Sequence, residues 1–341
     1  MKNRLNALAG VTIVCAAALG LTACGGAGGS SSAGSITVYN AQHESLTKEW
    51  VDEFTKETGI KVTVRNGDDT EMSNQIIQEG QASPADVFLT ENSPAMTQVE
   101  NAGLFADVDP ATVAQVPAEY RPSTNKWTGI AARSTVFAYN KTKLKDSDLP
   151  KSLTDLADPK WKGRWAASPS GADFQAIVSA VLDLKGEDAT LAWLQGMKQN
   201  AKQYKGNSTA MKAVNAGEVD GAVIYHYYYF GDQAKTGENS NNVALHYFKN
   251  QDPGAFVSVS GGGVLASSKH SADAQAFLKF ITGKKGQEVL QNGTSFEYPV
   301  GSKVPANSKL TPLQDLDAPK VNPAKLNSKK VVELMTKAGL L

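Results

Sequence analysis

The sequence predicts an α/β fold of two lobes, with mixed central sheets joined by crossover strands. Three observations carry this. Short strand-like runs alternate with amphipathic helical patterns from Ile36 onward, the order that a sheet with covering helices requires. The chain of 341 residues exceeds what one hydrophobic core comfortably holds. Two apolar runs, 130–139 and 255–259, read as strands able to pass from one lobe to the other.

The elements follow in order. Ile36-Thr37-Val38-Tyr39 is a strand; Leu46, Trp50, Val51 and Phe54 recur at helical spacing until Thr58-Gly59; Lys61-Val62-Thr63-Val64 is the next strand. Together they make a βαβ unit. A helix over 71–79 ends at Gly80, and Ala85-Asp86-Val87-Phe88-Leu89 returns as a strand emptying into Thr90-Glu91-Asn92. Such strand ends face the crevice where α/β proteins hold ligands. Helical patterns cover 172–184 and 189–197, Ser208 is a candidate N-cap for a helix through Val214, and Ala222-Val223-Ile224 is a strand running into Tyr225-His226-Tyr227-Tyr228-Tyr229. A polar loop is expected over 232–242, with Gly261-Gly262-Gly263 relaxing the backbone after the second crossover. Ala274, Phe277, Leu278 and Ile281 share one helix face, and a last helix lies near 329–338. The boundaries expected are 36–130 for the first lobe, 131–260 for the second, 261–290 for a return to the first, and 291–341 packing mainly on the second.

The beginning of the chain reads as an address. Lys2 and Arg4 precede an apolar run over 8–21 that is too short to span a membrane, so 1–23 is a secretory signal. Leu21-Thr22-Ala23-Cys24-Gly25 is similar to the lipobox of bacterial lipoproteins, with Cys24 the acylated residue; lipid chains hold through buried CH₂ groups at about 0.8 kcal/mol each. The Gly/Ser-rich stretch 24–35 is a flexible tether. Cys15 and Cys24 are the only cysteines. One leaves with the signal and the other takes lipid, which excludes a disulfide and thiolate metal ligation in the mature fold. Acidic and basic residues balance at 34 each, leaving no field for nucleic acid.

Three features point to a metal. Tyr227, Tyr228 and Tyr229 stand at a strand's C-terminal end; neighbours on a strand point to opposite faces, so two phenols reach one ion only if the chain turns into a helix there. An aromatic core patch or a stacking platform is the alternative. His43 follows the first strand, where an ordinary loop histidine is the alternative. Glu91 holds the equivalent mouth of the third, where a solvated or capping carboxylate is.

Several segments carry a resemblance along nearly the whole mature length: Ile36-Thr37-Val38-Tyr39-Asn40-Ala41-Gln42-His43, Ser83-Pro84-Ala85-Asp86-Val87-Phe88, Pro159-Lys160-Trp161-Lys162, Ser168-Pro169-Ser170-Gly171-Ala172, Tyr204-Lys205-Gly206-Asn207-Ser208, Tyr227-Tyr228 and Asp252-Pro253-Gly254-Ala255. In this order the chain resembles the periplasmic ferric ion-binding proteins of ABC importers. The resemblance implies a type II periplasmic-binding-protein-like fold, Fe(III) as cargo, and His43, Glu91, Tyr227 and Tyr228 as its ligands. It further implies a synergistic anion, phosphate or carbonate, held by Ser170, Gly171, Ala172 and Asn207. The implied partner is an iron permease, and the implied form is a monomer with no enzymatic activity, outside the cytoplasm, in a periplasm or on the outer face of a single-membrane cell. This chain has Tyr225 where the family often has an asparagine anion donor, which leaves Tyr225 and His226 as possible additions to the shell. Tyr229 offers a second adjacent tyrosine pair.

The chemistry agrees: hard Fe³⁺ prefers oxygen ligands, and its charge can expel phenol protons whose ordinary pKa is about 10. A second reading keeps the fold but changes the cargo to a small organic ion such as a phosphonate, polyamine or thiamine. A third, an exported hydrolase using Glu91 or Asp173, lacks a nucleophile elbow, a His-Glu-x-x-His or a phosphate loop.

Overall fold

The computed structural model describes residues 34–341. The signal at 1–23, the acylation of Cys24 and nearly all of the 24–35 tether lie outside the described residues. The first strand takes Ser35 from that tether.

The strands are β1 (Ser35–Asn40), β2 (Lys61–Asn66), β3 (Val87–Leu89), β4 (Thr128–Asn140), β5 (Trp165–Ala167), β6 (Ala201–Gln203), β7 (Gly221–Tyr225), β8 (Val243–His246) and β9 (Val257–Val264). The helices that cover them are α1 (Glu44–Thr58), α2 (Asp69–Glu79), α3 (Ser93–Asn101), α4 (Pro110–Val113), α5 (Ala172–Lys185), α6 (Glu187–Asn200), α7 (Asn207–Ala216), α8 (Tyr227–Lys235), α9 (Ser271–Thr282), α10 (Lys284–Asn292) and α11 (Ser328–Lys337). The sheet order is β2-β1-β3-β9-β4-β7-β5-β6, with β8 also on β4. β1, β2 and β3 are parallel, β9 runs against β3, and β5 is parallel to β6 and β7.

β4 joins the two halves. Its first part, Thr128 to Ser134, pairs antiparallel with β9, and from Thr135 it pairs antiparallel with β7. All but one of its thirteen residues are buried, which explains the unbroken apolar text. β9 is the other shared strand, and its glycines correct the expectation of a relaxed backbone. Gly261, Gly262 and Gly263 are strand residues, and a Cβ on Gly262 would stand 2.8 Å from Leu278 Cδ1 and 2.9 Å from Ile130 Cγ2. They are glycines because helices and strands approach too closely for a side chain.

Each half has its own apolar filling. Val38, Val87 and Leu89 pack against Trp50, Phe54, Phe277 and Leu278, all essentially inaccessible; complete burial of such side chains contributes about 1.5–3 kcal/mol each. In the other half Phe137 and Val223 lie against Trp161, Trp165, Phe174 and Trp193. The tail adds Val331, Leu334 and Met335 of α11 to this second cluster, while Thr97 of α3 donates to the Pro323 carbonyl at 3.3 Å.

Local chemistry sets the boundaries that position the site. α1 stops where Gly59 takes the left-handed conformation at φ 75° and returns its N–H to the Thr55 carbonyl. Ser208 does not cap α7: Gly206, at φ 96°, immediately precedes the helix, so Ser208 falls inside its first turn. The polar loop is shorter than expected, since α8 runs to Lys235. Among the described residues no helix is long and apolar enough to cross a membrane.

Candidate metal centre at the strand mouths

β1 ends at Asn40, and its continuation is braced before α1 begins. Asn40 Oδ1 accepts from Thr47 Oγ1 at 2.8 Å and from the Gln42 N–H at 3.2 Å. The Gln42 side-chain oxygen then takes the His43 N–H at 2.7 Å. β3 ends at Leu89, and buried Asp69 of α2 accepts the N–H groups of Glu91 and Asn92, each at 2.9 Å. These two braces bring His43 Nε2 to 3.0 Å from Glu91 Oε1. Their side chains keep 25% and 23% exposure, so the pair is reachable from solvent.

The tyrosines enter from the other half. β7 terminates at Tyr225, His226 already has helical φ and ψ, and α8 starts at Tyr227. The strand thus turns directly into a helix at the tyrosines. The rings of Tyr227 and Tyr228 lie 4.3 Å apart between centroids, and both hydroxyls donate to Asp173 Oδ2 at 3.0 Å. The Tyr227 ring meets the His43 ring edge to face at 4.8 Å. His43, Glu91, Tyr227 and Tyr228 therefore form one cluster, beside a cavity of about 470 Å³ that His43, Ser208, Lys212, Tyr227 and Tyr228 line. A larger cavity of about 970 Å³ lies between residues 118–123, β9 and residues 318–323, and holds none of them. The Tyr229 ring lies against Phe230, 5.3 Å between centroids.

The other expected residues divide. Asn207 Nδ2 donates to Asp173 Oδ2 at 2.9 Å and to Tyr228 Oη at 3.3 Å. Ser170, Gly171 and Ala172 lead into α5, but the Gly171 N–H is engaged by the Ser168 carbonyl at 3.0 Å. The donors at this end are then the first-turn N–H groups of α5. Tyr225 is buried and its hydroxyl donates to Asn92 Oδ1 at 3.2 Å, which makes it a support beneath the cluster. His226 is not brought in: its Nδ1 accepts the Ser134 N–H at 3.1 Å and its ring stacks on Tyr298 at 4.8 Å, on β4's crossing point.

Three charged residues were missed as members of the site. Asp173 joins both phenols, Asn207 and Asn92, whose Nδ2 reaches Asp173 Oδ1 at 3.0 Å. Arg133, wholly buried on β4, places Nη1 3.4 Å from Glu91 Oε2 and pairs through Nη2 with Glu297. Glu297, also wholly buried, places Oε1 3.0 Å from His43 Nδ1. The available signal was a single charge set in apolar text, as in Ala132-Arg133-Ser134 and Phe296-Glu297-Tyr298.

Electrostatics differ across the cluster. Burial works against the His43 proton, but Glu297 and Glu91 outweigh it and push the imidazole up to about 10. Burial also raises Glu91, yet His43 and Arg133 hold its carboxyl below the usual range. On the other side burial, reinforced by Asp173, holds Tyr227 and Tyr228 well above the ordinary phenol range. Burial and the Glu91 charge raise Asp173. A multiply charged hard cation could displace the His43 proton and both phenol protons, converting the cluster to an imidazole and anionic oxygens.

A mixed sheet divided by shared crossing strands, with polar side chains converging at the strand mouths of both halves, defines a two-lobed solute-binding protein of the type II periplasmic class. Residues 82–326 match the family described as bacterial extracellular solute-binding protein. The chain belongs to that family. It is 67% identical over 341 residues, 100% of both chains, to the Fe(3+)-binding periplasmic protein of Serratia marcescens. It is 36% identical over 308 residues, 89% of this chain and 93% of the other, to the major ferric iron-binding protein of Neisseria meningitidis serogroup B. Among solved structures, iron-bound HitA from Pseudomonas aeruginosa superposes with a TM-score of 0.86 at 42% identity, covering 90% of this chain and 100% of that one.

Proposed function

We propose that the chain captures ferric iron between its two halves and hands it to an ABC-type permease, acting as a binding protein and not as an enzyme. One observation carries this reading: an imidazole and a carboxylate at two strand mouths meet two adjacent phenols from the opposite half, His43 against Tyr227 at 4.8 Å. Oxygen-rich donors with one imidazole suit a hard trivalent ion. The names of the Serratia, Neisseria and Pseudomonas relatives support the same cargo.

In this reading His43, Glu91, Tyr227 and Tyr228 are the metal ligands. Asp173 is a further oxygen donor, since it already holds both phenol hydroxyls. Its carboxylate accepts from Asn207, a residue that the resemblance assigns to the anion. Phosphate or carbonate would be held by Asn207 and the α5 N-terminus at Ser170, Gly171 and Ala172, where helix N–H groups favour negative charge. Donors from both halves make closure and capture one event. Cys24, acylated after removal of 1–23, would tether a monomer to the outer side of the cell membrane.

Titrating the purified protein with ferric citrate, with and without phosphate, tests the reading. A visible phenolate-to-iron absorption band that saturates at one iron per chain is expected. A protein that stays colourless, yet is thermally stabilised by a phosphonate, polyamine or thiamine, would replace iron with an organic cargo.

A further inference from the structure

His43 has two ring nitrogens, and only one can face the cleft. Nε2 points at Glu91, while Nδ1 lies 3.0 Å from Glu297 Oε1. Glu297 is inaccessible and anchored on several sides. Its other oxygen, Oε2, pairs with Arg133 Nη2 on β4, accepts from Gln42 Nε2 at 3.3 Å and lies 3.4 Å from Ser260 Oγ on β9. The adjoining Tyr298 is itself locked to β4, exchanging N–H···O bonds with Ala132 at 2.8 and 2.9 Å. The segment bearing Glu297 thus crosses beside the two shared strands. Its carboxylate touches the residue before α1 that the proposed function makes a metal ligand.

We infer that Glu297 is a positioning residue: by accepting the Nδ1–H of His43 from a rigid seat on Arg133 and Ser260, it fixes the imidazole with Nε2 toward the metal. This rests on the ferric-binding reading. An outer carboxylate behind a ligating histidine sets the ring's tautomer and orientation and strengthens the nitrogen as a donor. Arg133 Nη2 and Gln42 Nε2 hold the other Glu297 oxygen, so the carboxylate is fixed in its buried seat. The Glu297 side chain is 0% exposed and does not face the cleft itself. Its direct contact with a proposed ligand is the His43 ring, and its other route is through Arg133, whose Nη1 lies 3.4 Å from Glu91 Oε2.

A double-mutant cycle reads this directly. Ferric affinity is measured by competition with citrate in the full chain and in the Glu297→Gln, His43→Ala and doubly substituted proteins, with the melting temperature of each metal-free form as the check on folding. Glu297→Gln should weaken ferric binding about 10–100-fold when His43 is present, and by less than about twofold when it is absent. An equal loss in both backgrounds would mean that Glu297 supports the whole cleft through Arg133, and would overturn the inference. So would an unchanged affinity. If Glu297→Gln does not fold, Glu297→Asp retains the charge opposite Arg133 while withdrawing the oxygen from Nδ1, and the same His43-dependent loss is expected. Wild-type protein that fails to take up ferric iron would sink the reading beneath the inference. Wild-type binding with an indifferent Glu297 would sink the inference alone.

Discussion

The two sides of the cluster solve opposite electrostatic problems. At the mouths of β1 and β3, His43 lies between Glu91 and Glu297, with Arg133 behind both carboxylates. Charges there are already formed and paired. On the β7 and α5 side, two buried phenols share one raised carboxylate and keep their protons. One side already holds ionised carboxylates and has a single imidazole proton to shed, while the other becomes anionic only when a cation displaces both phenol protons.

The sharpest way to break the comparison removes the proton-shedding side. Replacing both phenols, Tyr227→Phe with Tyr228→Phe, should abolish the visible band and weaken ferric binding beyond the about 100-fold that marks loss of a supporting residue. A competition assay against citrate with absorbance readout checks both. Next, Asp173→Asn should cost at least about 10-fold in ferric affinity, and added phosphate should recover more affinity in this variant than in wild type. A titration with and without phosphate would show whether Asp173 takes the anion's place.

The charged side is sharpened by pH. His43 holds its proton at about 10 in the folded protein against 6.5 for the free side chain. A raised value stabilises the fold fully below pH 6.5, and that stability is lost as pH rises through about 10. Metal-free His43→Asn should therefore melt below wild type by roughly 2–4 °C at pH 6, with the gap closing toward pH 10. With His43, Tyr227 and Tyr228 as ligands, iron binding should have the opposite dependence, weakening as pH falls, because uptake would expel their protons. The smallest effect belongs to Tyr229→Phe, which should change ferric affinity by less than about twofold, as expected for a substitution away from the site. A lost band would move the ligand pair to Tyr228 and Tyr229.

The sequence made the strand mouths readable, because a strand followed by a helix announces where its last residues point. His43 and Glu91 follow β1 and β3, and three consecutive phenols after Ile224 marked the third mouth. Asp173, Arg133 and Glu297 were not readable as one group. Asp173 bonds Tyr227 from 54 residues away, and Gln42 reaches Glu297 across 255, separations that only the folded sheet closes. β5 and β6 have three residues each, too few to express a period. The glycines of β9 read as relaxing the backbone because a strand's need for missing side chains depends on Leu278 and Ile130, which the local text does not contain.

Anomalous diffraction at the iron edge from crystals of the ferric-loaded protein tests the account most directly. A single strong peak should lie within bonding distance of the Tyr227 and Tyr228 hydroxyls, Glu91 and His43 Nε2 together. A peak held by one half alone, or located in the cavity between residues 118–123 and 318–323, would contradict it.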